Sequence, residues 1–356
     1  MAVFQPRFTA RMAAVRVRFG EPALSIIADE VAALGCSRAL VLSTSNQAAT
    51  AEAFAAAIGD HSVGVYAHAM MHTPLSVTEA ALAHAKAVGA DCFVAVGGGS
   101  TTGLGKALAL RTDLPQIVVP TTYAGSEATA ILGQTEGGRK TTITDPRVQP
   151  EVIIYDAELV RSLPVGLTVA SGLNAMAHAA EGLYARDRNP ISTVLAREGL
   201  AALIHALPQV VVNPNDLTAR SETLYGAWLC GTVLGQVGMA LHHKLCHTLG
   251  GSFDLPHAET HAIILPHAIG YNAVVVPDLL APLGDLLGGN PALRLHEFAL
   301  ALKAPMALRD LGLPEDALDR AANLATENPY WNPRPIERAP IRALLQAAWE
   351  GAAPQG

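Results

Sequence analysis

The first part of the chain alternates short apolar runs with longer segments of helical periodicity. This pattern predicts strands at Ala39–Leu42, Val63–Ala67, Cys92–Val96, Gln116–Val119 and Val152–Tyr155, and helices at Thr50–Ile58, Val77–Val88 and Gly103–Leu110. Strands and helices in this alternation favour a mostly parallel, Rossmann-like sheet with helices on both faces. The polar, Thr-rich segment Gly133–Asp145, with a turn at Gly137-Gly138, is typical of an antiparallel hairpin.

After Pro164 the pattern changes to long stretches rich in Ala and Leu. Helices are predicted at Leu167–Arg186, Pro190–Ala206, Ala219–Gln236 and Gly238–Thr248, with further helical segments to the end of the chain. Alternation with a period of two residues is scarce there, which favours a helical bundle. We therefore predict an α/β nucleotide-binding domain over residues 1–160 and an all-α domain over residues 161–356.

Composition narrows the class of protein. Of the 356 residues, 50% are hydrophobic and 15% are charged, and the net charge is −7. No run of Lys or Arg offers a surface for phosphate backbones, so nucleic acid is not an expected partner. The N-terminus lacks the apolar core of a secretory signal, and no stretch of about 18 apolar residues is free of polar interruption. We expect a cytoplasmic protein with no membrane span.

The cysteines agree with a reducing compartment. Cys36, Cys92, Cys230 and Cys246 lie far apart in sequence, and none forms a CxxC pair. This spacing argues against a disulfide framework and against a zinc knuckle.

A glycine-rich segment follows the predicted strand Cys92–Val96 and opens a helix. It reads Gly97-Gly98-Gly99-Ser100-Thr101-Thr102-Gly103. Glycines let the backbone approach a ligand closely, and a helix N-terminus offers free N–H groups to a pyrophosphate. The alternative is a tight turn that needs glycine only for packing, because the motif is neither GxGxxG nor GxxxxGK[ST].

A second segment of the same kind follows the next strand. It reads Pro120-Thr121-Thr122-Tyr123-Ala124-Gly125-Ser126-Glu127. In open α/β sheets, ligands bind beyond the carboxyl ends of the strands. Two adjacent strands that end in hydroxyl- and glycine-rich segments therefore favour a nucleotide site, with an ordinary Pro-Thr-Thr turn as the alternative.

The second half of the chain concentrates histidines. Asn174 and His178 are four residues apart, so they share one face of a predicted helix. His242, His243 and His247 follow, and then His257 and His261. Such clustering is typical of a metal site or an acid–base site. His267 is interpreted as structural, and His205 and His296 as ordinary partly exposed residues.

These motifs together resemble the iron-containing alcohol dehydrogenase family, which shares its general architecture with dehydroquinate synthase. The matching segments are GGGS at 97–100, PTT…GSE at 120–127, the segment from Gly172 to His178, and HxxxHxLG at 243–250 followed by Pro256-His257. They cover nearly the whole chain in the family's order. The resemblance implies an N-terminal nucleotide domain, a C-terminal helical domain and a cleft for cofactor, substrate and metal.

Two departures from the family pattern are informative. By position, the family's three histidine ligands fall on His178, His243 and His257, but its aspartate ligand is replaced by Asn174. A second family aspartate, three residues after the GGGS serine, is replaced by Gly103. These departures are similar to the maleylacetate reductase branch, which reduces maleylacetate to 3-oxoadipate with NADH or NADPH in the breakdown of aromatic compounds.

The resemblance to this branch implies that no metal is needed. A neutral amide binds Fe²⁺ or Zn²⁺ less well than a carboxylate does. An alkene already conjugated to a ketone and a carboxylate accepts hydride more readily than a plain carbonyl, so hydrogen-bond donors on the developing enolate would suffice. We therefore expect NADH or NADPH as cofactor and no metal.

The resemblance also implies roles for single residues. His178, His243 and His257, with Asn174, line the former metal pocket and bind the oxygens of a dicarboxylate substrate. His242 or His247 donates the proton. Lys244 attracts the dianion, unless it is only a solvated lysine, and Tyr123 contacts the nicotinamide, unless it serves only in packing.

Cofactor contacts are expected along the two glycine-rich segments and near the adenosine ribose. Thr44 stands where NAD-preferring members often carry Asp, so a 2′-phosphate is not repelled and both NADH and NADPH are acceptable. By position, Lys140 matches a family lysine near the cofactor. The expected contacts are Thr44, Gly97, Gly98, Gly99, Ser100, Thr101, Thr102, Thr121, Thr122 and Lys140.

Three other functions stay open on the sequence. The first is a metal-dependent alcohol dehydrogenase that uses Asn174 as a ligand and acts on small alcohols or aldehydes. The second is a dehydroquinate synthase-like lyase, and the third a nucleotide-binding protein without catalysis. The family resemblance further implies a homodimer, paired through the N-terminal domain.

Overall fold

The computed structural model describes residues 7–10, 12–136 and 139–355. Contacts between Cα atoms separate Met12–Leu163, the α/β unit, from a second unit that includes Pro164–Gly356, the helical unit. The predicted fold class, a parallel-sheet domain followed by an all-α domain, is confirmed.

Six parallel strands form the main sheet of the α/β unit in the order β1-β8-β5-β4-β2-β3. They are β1 (Arg16–Phe19), β2 (Ala39–Leu42), β3 (Ser62–Tyr66), β4 (Cys92–Gly97), β5 (Gln116–Pro120) and β8 (Val152–Tyr155). Four helices connect them: α1 (Ala23–Ala33), α2 (Ala48–Ile58), α3 (Leu75–Ala87) and α4 (Gly99–Thr112).

The order of the strands fixes where a ligand can bind. From β2 the chain moves to β3 on one side, whereas β4, β5 and β8 follow one another on the other side. The carboxyl ends of β2 and β4 therefore flank a topological switch point, where nucleotides bind in open α/β sheets. Thr44 follows β2 and Gly97 ends β4, so both lie at this point.

Each face of the sheet is covered by its own apolar cluster. Val41, Val94 and Val96 pack on one face, and Leu40 and Phe93 pack on the other. Because successive side chains of a strand alternate in direction, strands buried on both faces read as unbroken apolar runs. This is why β2, β4, β5 and β8 were predictable from the sequence.

Strand β1 was not predicted. Its sequence is Arg-Val-Arg-Phe at the edge of the sheet, where charged residues are common and apolar runs are not required. Both arginines bind the buried carboxylate of Glu30 on α1, with Arg16 Nη1 at 2.8 Å and Arg18 Nη1 at 2.5 Å.

The predicted hairpin is present as strands β6 (Ile131–Glu136) and β7 (Arg139–Thr144), which pair antiparallel. Its turn, predicted at Gly137-Gly138, lies outside the described residues, as does the side chain of Lys140.

The helical unit consists of nine helices within its described residues. They are α5 (Val165–Tyr184), α6 (Pro190–Val212), α7 (Leu217–Gln236), α8 (Leu241–Phe253), α9 (His257–Ala273), α10 (Pro277–Leu287), α11 (Pro291–Ala301), α12 (Ala317–Thr326) and α13 (Arg338–Glu350). Helix α5 is central and packs against α6, α7 and α9.

Among the residues that the structure describes, one helix is long and apolar enough to cross a membrane, and the bent pair of α7 and α8 passes the same test together. The single helix is α6, which packs against α5 and α7 and buries Leu200, Leu203 and Leu207. These contacts are those of a core helix.

Two predicted boundaries were wrong near the functional segments. The helix predicted to begin at Gly103 begins at Gly99, so Ser100, Thr101 and Thr102 lie in its first turns. The helix predicted to begin at Gly238 begins at Leu241, because Val237 and Ala240 adopt extended backbone between α7 and α8.

Candidate active site

The glycine-rich turn after β4 is too crowded for side chains at two of its positions. A Cβ at Gly97 would lie 2.3 Å from Thr101 Oγ1, and one at Gly98 would lie 2.9 Å from Thr122 Cγ2. A Cβ at Gly99, in contrast, would have no protein atom within 4 Å. The turn therefore holds its glycines for packing, and it also leaves open space beside the first residue of α4.

The start of α4 has the properties of an anion site. Gly98 precedes the helix without a side-chain cap, and its carbonyl oxygen accepts the N–H groups of Thr101 and Thr102 at 3.1 Å, so the N–H groups of Gly99 and Ser100 are those at the open end of the helix. The hydroxyl oxygen of Thr101 is buried and has no hydrogen-bond partner among the described residues. A helix N-terminus with free donors favours a pyrophosphate.

The loops after β2, β4 and β5 are joined by hydrogen bonds. Thr121 N–H donates to Gly97 O at 3.1 Å, and Gln47 Nε2 donates to Thr121 Oγ1 at 2.8 Å. Half-buried Thr44 precedes the short turn that carries Gln47. The structure thus brings Thr44, the glycine turn and Thr121 together. Gln47 was not predicted, because its partner lies 74 residues away in sequence.

Tyr123 and Gly103 both lie in crowded surroundings. The side chain of Tyr123 is fully buried, so its position fits the packing alternative as well as a cofactor role. At Gly103, where the family carries Asp, a Cβ would lie 2.3 Å from Thr73 Oγ1. Thr73 therefore fills the space that a side chain at position 103 would need.

A buried lysine fixes the segment that follows Tyr123. Lys106 Nζ donates to the carbonyl oxygens of Ser126, Thr129 and Ile131 at 2.6–2.9 Å. Burial lowers the pKa of Lys106 to about 7, although the negative charge of Glu127 acts to raise it. Since Lys106 lies on α4, it ties the helix of the glycine turn to the loop after β5.

Helix α5 directs three polar side chains to one buried place in the helical unit. Asn174, His178 and Glu181 lie four and three residues apart, and all three are buried. His178 and His243 on α8 have ring centroids 5.1 Å apart. The predicted pair Asn174 and His178 is therefore next to His243, one of the predicted α8 histidines.

The histidine cluster comprises six rings on three helices. His243 lies 5.1 Å from His261 and 5.9 Å from His247, and His261 lies 4.3 Å from His257, as distances between centroids. His242 Nε2 and His261 Nδ1 are 2.9 Å apart and share a hydrogen bond. The cluster is His178, His242, His243, His247, His257 and His261.

Members of the cluster differ in access to solvent. His242 and His261 are fully buried, His247 is half-buried, and His257 is exposed as the first residue of α9. Burial, and then the neighbouring imidazoles, hold the pKa of His178, His242 and His261 well below the usual value. These three rings are neutral near pH 7, so each has one lone pair, and the hydrogen bond between His242 and His261 takes up one of the three.

Glu181 organises the cluster and was missed by the sequence interpretation. Its fully buried carboxylate accepts hydrogen bonds from the N–H groups of Ala240 at 2.9 Å and His242 at 2.7 Å. It also lies 2.7 Å from His243 Nδ1. One carboxylate therefore holds the N-terminus of α8 and orients His243, leaving His243 Nε2 without a partner among the described residues.

Tyr330 is a second residue that the sequence did not reveal. Its hydroxyl lies 2.9 Å from His247 Nδ1. The same loop accepts a hydrogen bond from Lys244 Nζ at the carbonyl of Glu327, at 3.0 Å. Lys244 is half-buried, and burial lowers its pKa, so it is not simply a solvated lysine.

Comparison with known proteins finds similar proteins along nearly the whole chain. Residues 14–157 match the family model described as iron-containing alcohol dehydrogenase, and residues 168–349 match its C-terminal counterpart. A maleylacetate reductase of Rhizobium sp. (strain MTP-10005) is 61% identical over 98% of this chain and 99% of its own.

Solved structures agree with this comparison. A maleylacetate reductase from Agrobacterium tumefaciens is 60% identical, with a TM-score of 0.96 over 99% of this chain and 100% of its own. An iron-containing alcohol dehydrogenase from Corynebacterium glutamicum is 40% identical, with a TM-score of 0.93 over 97% and 98%.

The expectation that no metal takes part was wrong. Both halves of the chain match models described as Fe-containing, which implies iron or another metal ion as cofactor. The residues fit such an ion, because Asn174 Oδ1, His178 Nδ1 and His243 Nε2 are buried without partners among the described residues. Metal-binding histidines commonly give their second nitrogen to a carboxylate, as His243 does with Glu181.

Proposed function

Because the chain belongs to the iron-containing alcohol dehydrogenase family, we propose that it reduces the carbon–carbon double bond of maleylacetate with NADH or NADPH. The product is 3-oxoadipate, an intermediate in the breakdown of aromatic compounds. The observation that carries the proposal is 61% identity over 98% of the chain to a protein named maleylacetate reductase. The chain is an oxidoreductase.

The reaction adds one hydride and one proton. Hydride moves from C4 of the nicotinamide to the alkene carbon next to the carboxylate, and the π electrons move onto the ketone oxygen as an enolate. A proton then reaches the other alkene carbon, which lies next to the ketone, and the products are 3-oxoadipate and NAD(P)⁺. The protein must stabilise the enolate oxygen and supply the proton.

His243 is held with a lone pair on Nε2. Glu181 fixes the ring through Nδ1 at 2.7 Å, and a carboxylate partner there favours the imidazole form that carries hydrogen on Nδ1. Nε2 then has no hydrogen to donate to an oxyanion, and it has no hydrogen-bond partner among the described residues. A rigidly oriented lone pair suits a metal ion, and the positive charge of such an ion would stabilise the enolate oxygen.

A metal ion would be held by Asn174 Oδ1, His178 and His243, together with His257 by family resemblance. When bound, such an ion supplies Lewis acidity to a carbonyl oxygen. Asn174 contributes a neutral oxygen in place of a carboxylate, so the site carries one negative charge fewer than the family's usual set.

His247 is the better placed of the two predicted proton donors. Its ring is half-buried, and its Nδ1 lies 2.9 Å from the hydroxyl oxygen of Tyr330. His242 is fully buried, and its Nε2 is already bonded to His261. Lys244 lies on the same helix, one turn before Thr248. Its positive charge favours the binding of a dianionic substrate.

Cofactor binding is proposed for the α/β unit, with the pyrophosphate at the N-terminus of α4 and the adenosine ribose near Thr44. No carboxylate stands at position 44 to repel a 2′-phosphate. We expect NADH and NADPH both to serve.

The direct test compares substrates at a fixed enzyme concentration. Loss of NADH absorbance with maleylacetate should exceed that with a saturated aldehyde, such as butyraldehyde, by at least about 100-fold in kcat/KM, or roughly 3 kcal/mol. Faster turnover of the aldehyde would replace the proposal with a metal-dependent alcohol dehydrogenase.

We propose two properties of the whole protein in addition. The first is a homodimer, which sedimentation of the purified protein at micromolar concentration would reveal. The second is a cytoplasmic setting, supported by four free cysteines in the described residues. Cell fractionation would test it, and a periplasmic fraction would contradict it.

A further inference from the structure

Two cysteines that are far apart in sequence meet at the amino ends of the strands. Cys36 lies between α1 and β2, and Cys92 begins β4. Strands β2 and β4 are neighbours, with Ala39 paired to Cys92. The position is at the opposite edge of the sheet from the glycine turn, so it is independent of the cofactor loops.

Asp91 completes a group of three donor atoms. The two sulfurs and one carboxylate oxygen all lie within 4.8 Å of one another. A tetrahedral ion with metal–sulfur bonds of 2.3 Å places its two sulfurs about 3.8 Å apart. The three side chains therefore need only small rotations to share one ion. We call Cys36, Asp91 and Cys92 the dithiol site.

The carboxylate of the site is already oriented. Asp91 Oδ2 accepts the N–H of Ser37 at 2.8 Å, and Oδ1 accepts the N–H of Arg38 at 2.9 Å. Although burial opposes it, these hydrogen bonds lower the pKa of Asp91. A carboxylate offers about four lone-pair positions, and the Ser37 hydroxyl takes a third at 3.3 Å. One position is left for an ion.

The thiols have weak partners that an ion can replace. Cys36 Sγ lies 3.7 Å from the carbonyl oxygens of Leu34 and Asp91. Burial raises the pKa of both Cys36 and Cys92, so both are neutral thiols near pH 7. Cys36 is 8% exposed and Asp91 is half-buried, which gives access from one side.

We propose that the dithiol site binds one thiophilic divalent cation of the zinc and cadmium class. Cys36 and Cys92 bind as thiolates, Asp91 binds through one oxygen, and water completes the tetrahedron. The two S–H protons pass to solvent, so affinity rises with pH. The wide spacing of the cysteines excludes a knuckle motif, but sheet pairing assembles the same ligand types.

Titration of the chelator-dialysed protein with Cd²⁺ tests the proposal through the ultraviolet charge-transfer band of thiolate–cadmium bonds. Because the histidine cluster also fits a divalent ion, the titration runs to two equivalents, and the band should then reach the intensity of two thiolates. Cys36→Ser, at a partly accessible position, should reduce affinity at least tenfold and halve the remaining intensity. Cys230→Ala, a buried cysteine of the helical unit, is the matched control and should leave the band unchanged.

A thiol outside the dithiol site, that of Cys246, lies near histidines and could give the same band, so the experiment must distinguish the two places. Cys246 Sγ lies 3.7 Å from His242 Nε2 and can also bind cadmium. A band that survives Cys36→Ser but disappears in Cys246→Ala would overturn the proposal, as would absence of any band. If Cys36→Ser fails to fold, the test uses the unaltered protein with two equivalents of Cd²⁺, enough for both sites. Cys36 should then be protected from alkylation, and unprotected Cys36 would refute the proposal.

Discussion

At the scale of single residues, the candidate active site depends on one carboxylate. Glu181 accepts hydrogen bonds from the backbone N–H groups of Ala240, just before α8, and His242, and it lies 2.7 Å from His243 Nδ1. It is fully buried. A buried charge is tolerated only when its partners compensate for lost hydration, so this carboxylate and the start of α8 depend on each other.

Glu181→Gln should lower kcat by about 10–100-fold, the usual effect of removing a residue that orients an active-site histidine. An amide has one acceptor oxygen, so it cannot serve all three donors, and stability should fall by about 1–3 kcal/mol. Steady-state kinetics and urea unfolding measure the two effects. Glu198→Gln, a change on the surface of α6, is the control, and an unaltered kcat in Glu181→Gln would refute the role.

Asn174→Asp should raise the affinity of the site for Fe²⁺ or Zn²⁺ by at least about tenfold, because a carboxylate is a stronger ligand and adds negative charge. Competition with a chromophoric chelator measures the change. Equal affinities in the two proteins would mean that position 174 does not contact the ion.

At the scale of elements, function lies where helices and strands end. The glycine turn joins β4 to α4, Gln47 joins the loops after β2 and β5, and Tyr330 lies in the loop between α12 and α13. Loops held by such long-range contacts give precise positions to side chains that no regular element carries.

Gly97→Ala should weaken NADH binding by at least about tenfold, or roughly 1.4 kcal/mol. Its Cβ would lie 2.3 Å from Thr101 Oγ1, so the turn must move. Quenching of protein fluorescence by NADH measures the affinity. Gly166→Ala, where a Cβ meets no atom within 4 Å, should change nothing, and equal affinities in both variants would contradict the assigned phosphate site.

Tyr330→Phe should lower kcat by about tenfold with little change in KM, because it removes the hydroxyl that orients His247 but keeps the ring. Initial rates over a range of maleylacetate concentrations separate the two constants. A change in KM alone would mean that the loop acts in binding.

Sequence patterns predicted the elements with a strong local signal. Fully buried strands such as β4 and long helices such as α5 have clear periodicity, and Asn174 and His178 are related by a single helical turn. Glu181, Gln47 and Tyr330 were not predictable, because their partners lie 59–83 residues away. The edge strand β1 was not predicted for a local reason, because two of its four residues are arginines and it has no continuous apolar run.

At the scale of the whole molecule, buried histidines make stability depend on pH. His267 is 3% exposed, and burial, with a contribution from His296, lowers its pKa to about 4. In the unfolded chain its pKa is about 6.5. The unfolded state therefore binds the proton more readily, so stability is complete above pH 6.5 and is lost as the pH falls from 6.5 towards 4.

The loss from His267 should reach about 3 kcal/mol at pH 4. Urea unfolding midpoints between pH 7 and pH 4.5 measure it. His267→Gln should remove this part of the pH dependence and leave the part that the buried rings of His178, His242 and His261 contribute, whereas His205→Gln, at an exposed position, should leave the whole dependence as it is. A dependence in His267→Gln equal to that of the unaltered protein would assign the effect to the other groups alone.

In the proposed reaction, the nicotinamide transfers its hydride to a carbon–carbon double bond and not to a carbonyl carbon. Reduction of maleylacetate with NADH carrying deuterium at the transferred C4 position, followed by mass spectrometry and NMR of the product, tests it most directly. We predict 3-oxoadipate with one deuterium on the methylene carbon that lies next to a carboxylate but not next to the ketone. A hydroxy acid with deuterium on the alcohol carbon would contradict the claim and identify a carbonyl reductase.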